Sequence, residues 1–281
     1  MRKTALAASG FALLLALTAC GSESTPTTTN TAAQQADTKP ASSLFNDAQE
    51  LVRAASARAD EAKSAKFTMQ MDIMGMQMSG SGEGSFEGTN SQMSMTMQMM
   101  GQNIEMRMVD AAIYMKMPAG QSPGGKPWVK MDLNSAQAGE MKGMLEQSQQ
   151  SDPRKILEVI QKAGKITKAD TVQLDGQEVS HYAIDLDMKK AGGLGGMTEA
   201  DLAELPEGTI VPTEIWLNRD QLPVQITMDM GEAIKKIAEK QGEQVPAGTN
   251  IGGKMTMKYS DWGAPVNVEI PPADQVGEMP R

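Results

Sequence analysis

Between Lys66 and Met117 methionine recurs at every second position: Met69 and Met71; Met74, Met76 and Met78; Met93, Met95, Met97 and Met99; Met106 and Met108; Met115 and Met117. Of 25 methionines in 281 residues, 17 lie between Met69 and Met144. A period of two marks strands with one apolar face, because successive side chains point to opposite sides of a sheet. Thr68, Gln70, Asp72, Gln77, Ser94, Thr96, Gln98, Glu105 and Arg107 stand between them and suit the solvated face. The stretch is therefore committed to strands, with thioethers where Val, Ile and Phe are usual.

The apolar phase slips between Ile73 and Met74, and again around Val109-Asp110-Ala111. A shift by one residue exchanges faces, so each slip predicts a bulge or a turn. Ser79 to Gly84 reads as a flexible turn and Gly101-Gln102 as a second, which makes the block a meander. Upstream, Leu44, Ala48, Leu51, Val52, Ala55, Ala59 and Ala62 repeat at three and four, the pattern of an amphipathic helix to about Lys63. Downstream, Pro118 to Pro127 is a loop and Trp128 to Leu133 an alternating strand. A weak helix is expected at Gly139 to Gln149. A better one starts at Asp152-Pro153, a cap followed by proline, and ends at Gly164. Asp175-Gly176 is a hairpin turn between strands Ile166–Leu174 and Glu178–Met188. Thr198 to Leu205 and Glu232 to Lys240 read as helices. Glu214–Leu217, Val224–Met230, Ile251–Tyr259 and Pro265–Ile270 read as strands. About ten strands and several helices, joined locally, make an antiparallel α+β protein.

The first residues concern location. Arg2 and Lys3 precede an apolar run, Ala5 to Leu17, that is too short for a comfortable membrane span. Leu17-Thr18-Ala19-Cys20 follows and resembles a bacterial lipoprotein lipobox, which implies cleavage before Cys20 and a diacylglycerol thioether on its sulfur. Gly21 to Ser43 has the composition of a disordered tether, spanning on the order of 25–30 Å as a flexible coil. The expected division is a signal peptide at 1–19, lipidated cysteine and tether at 20–43, one domain at 44–272 and a tail at 273–281. Such a protein is anchored to the outer face of the cytoplasmic membrane.

Charge and composition exclude several functions. The net charge is −9, and −11 without Arg2 and Lys3, with 24 basic against 35 acidic residues. That balance, with 4% aromatic residues, disfavours nucleic-acid binding. Cys20 is the sole cysteine, so neither an internal disulfide nor a cysteine metal site can form. The single histidine, His181, reads as structural or exposed. Asp185 and Asp187 share a strand face and read as solvated rather than as a calcium site. The glycines at Gly192 to Gly196 lack the residues of a phosphate-binding loop. No enzyme, cofactor or resident metal is expected.

Two later segments carry a family likeness. Pro212 to Val224 (PTEIWLNRDQLPV) and Tyr259 to Pro271 (YSDWGAPVNVEIP) resemble envelope lipoproteins of the mycobacterial LppX/LprA/LprF/LprG family, as does the order of lipobox, tether, helix and sheet. The resemblance implies a half-barrel: a strongly curved antiparallel sheet with helices on its concave face, like the outer-membrane lipoprotein carriers. It also implies a cavity for acyl chains of lipids or glycolipids. A membrane transporter as donor and a monomeric state are expected as well. The expected cavity lining is Met69, Met71, Met95, Met97, Met99, Met106, Met108, Met115, Met117, Ile215, Leu217, Ile226, Met228, Met255 and Met257. Methionine is flexible and polarizable, which suits a wall that accepts varied chains. Two alternatives stay open: a thioether site for Cu(I), and a structural or regulatory lipoprotein whose methionines fill a core.

Overall fold

The computed structural model describes residues 44–73, 76–86, 91–99, 101–117, 125–132, 152–192, 203, 205–240, 242 and 252–278. The signal, Cys20 and the tether, the weak helix at 139–149, residues 193–196 and most of 198–205 lie outside them. Helix α1 (Ala48–Ala62) starts at Asp47, whose carboxylate accepts from the Gln49 and Glu50 amides at 2.8 and 3.1 Å. Ala48, Leu51, Val52, Ala55 and Ala59 form its buried stripe.

Six strands follow and pair in order, all antiparallel: β1 (Ser64–Ile73), β2 (Met76–Ser85), β3 (Gln92–Met99), β4 (Gln102–Val109), β5 (Ala112–Lys116) and β6 (Trp128–Asp132). Both phase slips fall between strands. β1 ends at Ile73, and Asp110 and Ala111, at φ 53° and 54°, reverse the chain between β4 and β5.

Helix α2 (Pro153–Ala163) is capped by Asp152 and leads into the hairpin of β7 (Gly164–Leu174) and β8 (Gln177–Asp187). Asp175 and Gly176, at φ 49° and 80°, form its two-residue turn. Then come α3 (Met188–Ala191), β9 (Ile210–Leu217), β10 (Pro223–Asp229), α4 (Gly231–Lys240), β11 (Gly252–Ser260) and β12 (Val276–Glu278). β11 inserts between β1 and β10 and joins the two meanders into one sheet, ordered β12-β6-β5-β4-β3-β2-β1-β11-β10-β9-β8-β7. The β12–β6 pair is parallel.

The helices pack on one face, against β7, β8, β9 and β11. There Leu51, Val52, Ile156, Leu157 and Ile160 join Phe67, Tyr182, Ile184, Ile215 and Met257 in the main core. The opposite face carries a smaller cluster made by the segment after β11. Its path is set by the Ser64 hydroxyl donating to Ala264 O at 2.6 Å and by Arg107 donating to Glu269 O at 2.8 Å. Val266, Val268 and Val276 then cover Val109, Ala112, Tyr114 and Trp128. The family-like Trp262 donates to Pro223 O at 2.9 Å, so the two segments that carry the resemblance meet in space.

Four expectations are corrected. Ser79 to Gly84 is the second half of β2, not a turn, because its glycines alternate with larger residues at strand period. Pro265 to Ile270 is extended but unpaired, and the closing strand is β12. Among the described residues the sheet has twelve strands, not about ten. It is open and not strongly curled: its order ends in two edges, and the described helices cover part of one face.

Candidate functional site

Register places the methionines in rows across the strands. Met99, Met78, Met71, Met255 and Met228 stand directly opposite one another on β3, β2, β1, β11 and β10. A second row runs Ile104, Met97, Gly80, Met69, Met257, Ile226, Ile215 and Tyr182. A third runs Met115, Met106, Met95, Gly82 and Phe67. Directly opposite side chains have Cβ atoms about 4.5–5.5 Å apart, so the side chains of each row form an apolar band, interrupted at Gly80 in the second and at Gly82 in the third.

The middle of this face is lowered by β2. Gly80, Gly82 and Gly84 all point inward and form the floor between β1 and β3. A Cβ on Gly82 would lie 2.4 Å from Ser94 O and 2.8 Å from Phe67 Cζ, so the phenylalanine ring occupies the space that a side chain there would need. At Gly80 the nearest atoms are 3.5 Å or more away and include Met97 Cγ and the Met69 terminal methyl. The floor is filled by Phe67 at one end and flanked by flexible thioethers at the other.

Burial divides the expected lining residues into two groups. Met95, Met106, Ile215, Leu217, Ile226, Met228, Met255 and Met257 are buried in the main core. Met69, Met71, Met97, Met108, Met115 and Met117 are half-buried, and the first four of these pack against the core's edge. The side chain of Met99 lies outside the described residues. The sequence reading missed Met78, which is half-buried in the first row, and Ile113 and Met131, which extend the face onto β5 and β6. The glycine floor was missed as well, since its signal is an absence of side chains at the inward phase.

Two clefts of ≈ 690 and ≈ 720 Å³ open on the other, polar face. Lys66, Thr68, Ser81, Ser94, Thr96 and Lys258 line the first, and Gln70, Gln77, Ser79, Gln98 and Thr256 the second. Asp175 at the hairpin tip reaches Lys258 at 2.9 Å across the first cleft.

His181 is held on that polar face. Its Nδ1 lies 2.8 Å from Asp170 and its Nε2 3.6 Å from Glu214, and its ring stacks on Trp216 at 4.7 Å. The Asp170 carboxyl is held below its usual range, first by the Lys168 ammonium and then by His181. Ser180, next in sequence, points to the opposite face and so is not paired with the imidazole. Asp187 caps α3 by accepting from Lys189 N at 3.1 Å. Among the described residues no group of three or more His, Cys, Asp and Glu is arranged to hold a metal. Among them too, no helix is long and apolar enough to cross a membrane.

No family model and no curated protein matches this chain. Among solved structures it is similar to LprF from Mycobacterium bovis, at 15% identity and a TM-score of 0.48, over 82% of this chain and 99% of that one. It is also similar to a chain of the MucA/MucB complex of Pseudomonas aeruginosa, at 11% identity and a TM-score of 0.36, over 78% of this chain and 59% of that one. A structure of MucB with MucA(peri) gives 13% identity and a TM-score of 0.35, over 78% and 56%.

Proposed function

We propose that this protein is an envelope lipoprotein that holds acyl chains of lipids or glycolipids against the methionine-rich half of its sheet, and carries or presents them. The observation that carries the reading is the set of half-buried thioethers on β1 to β5, beside a floor of glycines. An acyl chain laid there contributes roughly 0.8 kcal/mol for each methylene removed from water. Flexible methionines accommodate chains of different length and branching without a fixed shape. The buried residues on β9 to β11 belong to the packed core, which confines the acyl surface to the other half. The lipobox at Cys20 supplies a diacylglycerol anchor, with the tether holding the domain outside the membrane.

A direct test uses face-specific charge. Met97→Asp and Met108→Asp put a carboxylate on the methionine face and abolish uptake of a fluorescent fatty acid. Thr96→Asp puts the same charge on the exposed polar face and leaves uptake nearly unchanged. Equal loss from all three contradicts the reading.

Met78, Met71 and Met255, directly opposite one another on β2, β1 and β11, favour a second reading, since three neighbouring thioethers on adjacent strands can reach one soft cation such as Cu(I). On that reading the protein takes Cu(I) from a chromogenic chelator, and Met71→Leu with Met78→Leu removes the competition.

A further inference from the structure

Flexibility suits methionine to an adaptable wall, and the thioether also brings a chemistry that leucine lacks. A thioether is oxidised where an oxidant can reach it, and the methionines of the core differ in exposure from those of the proposed acyl wall. Met188 and Met228 are 0% exposed, Met257 1% and Met230 3%, all within the core. Those on the proposed acyl wall are half-buried and reachable.

We propose that Met69, Met71, Met78, Met97, Met108 and Met115 form a sulfoxidation site, at which a peroxide turns the wall polar and releases the bound acyl chain. The proposal rests on the acyl-chain reading above. In the step, a sulfur lone pair attacks one peroxide oxygen and the O–O bond breaks. The sulfur gains that oxygen and is oxidised by two electrons. The departing hydroxide takes the proton and leaves as water. The product sulfoxide is dipolar and has no hydrogen-bond donor along an acyl chain. Each such group pressed against hydrocarbon lowers affinity about tenfold or more, a factor of ten being about 1.4 kcal/mol. The buried methionines keep the core intact meanwhile, so the oxidised protein stays folded and recovers when a thiol-dependent sulfoxide reductase restores the thioethers.

The experiment uses the whole chain with Cys20→Ser, so that no attached acyl group competes. Graded hydrogen peroxide is followed by peptide mass mapping and by titration with a fluorescent long-chain fatty acid. The six wall methionines oxidise ahead of Met188, Met228 and Met257. Affinity for the fatty acid falls about tenfold or more, and sulfoxide reductase restores it. In a variant with Leu at Met69, Met71, Met97 and Met108, whatever its starting affinity, peroxide lowers that affinity far less than it lowers the parent's, each protein being compared with its own unoxidised form. Equal oxidation of wall and core, unchanged affinity after mapped wall oxidation, or an undiminished response in the Leu variant overturns the proposal. Failure of the unoxidised protein to take up the fatty acid overturns the acyl-chain reading itself, and with it the release step.

Discussion

Gly82 shows how much of the face depends on single atoms. Its missing Cβ is the space in which Phe67 sits, and Ser94 O would lie 2.4 Å from any replacement. Gly82→Ala is expected to cost about 1–3 kcal/mol through overpacking. Gly80→Ala, with contacts of 3.5 Å or more, is expected to stay within about 0.5 kcal/mol. Urea midpoints of the two variants check this, and equal effects would contradict the assigned floor. Tyr259 makes a different demand. Its fully buried phenol donates to Met257 Sδ at 3.6 Å, and burial first, then the Asp152 charge, holds its pKa far above the usual phenol range. The neutral form is therefore favoured by folding. That stability is complete below about pH 10 and is lost as pH rises beyond it, since only the unfolded chain releases the proton. Burial raises the Tyr182 phenol in the same direction. Thermal unfolding between about pH 8 and 11 should show an alkaline decline that Tyr259→Phe reduces. At this scale the sequence was legible where side chains alternate, as at Met93 to Met99. It was opaque where the inward residue is glycine, because Ser79 to Gly84 has the composition of a turn and the period of a strand.

Local chemistry made α2 the most legible element. Asp152 accepts from the Arg154 amide at 2.9 Å and from its guanidinium at 2.7 Å, while Arg154 also reaches Asp60 of α1 at 3.0 Å. The Asp152 hydrogen bond is the main reason that the Arg154 charge is favoured over its already high norm. Asp152→Ala removes the cap and the inner partner together and is expected to cost about 1–2 kcal/mol. Asp60→Ala removes an outer partner whose side chain is 61% exposed, for about 0–1 kcal/mol. Denaturant titration of both variants tests that order. The β7 edge is blunted by a register shift between Ile166 and Lys168 and by exposed lysines at 165 and 168, which discourages pairing with another chain. β12 was not legible. Its three residues have no local periodicity, and only the long path across Arg107 and Trp128 brings them to β6.

For the whole molecule, one sheet serves two purposes. The β7 to β11 half is a helix-covered core, and the β1 to β5 half offers a methionine surface that is only partly covered. Hydropathy and period predicted both halves as apolar, but not which would be covered, because that depends on where α1, α2 and α4 cross the strands. The expected single cavity lining therefore separates into core residues such as Ile215 and Met228 and wall residues such as Met69 and Met97. The acyl-chain reading stands on the second group alone. Its most direct test is organic-solvent extraction of the protein purified from its native source, with mass spectrometry of the extract. The account predicts stoichiometric lipid, reduced in Met97→Asp protein. An empty extract, together with no uptake of a fluorescent fatty acid by the purified protein, would contradict it.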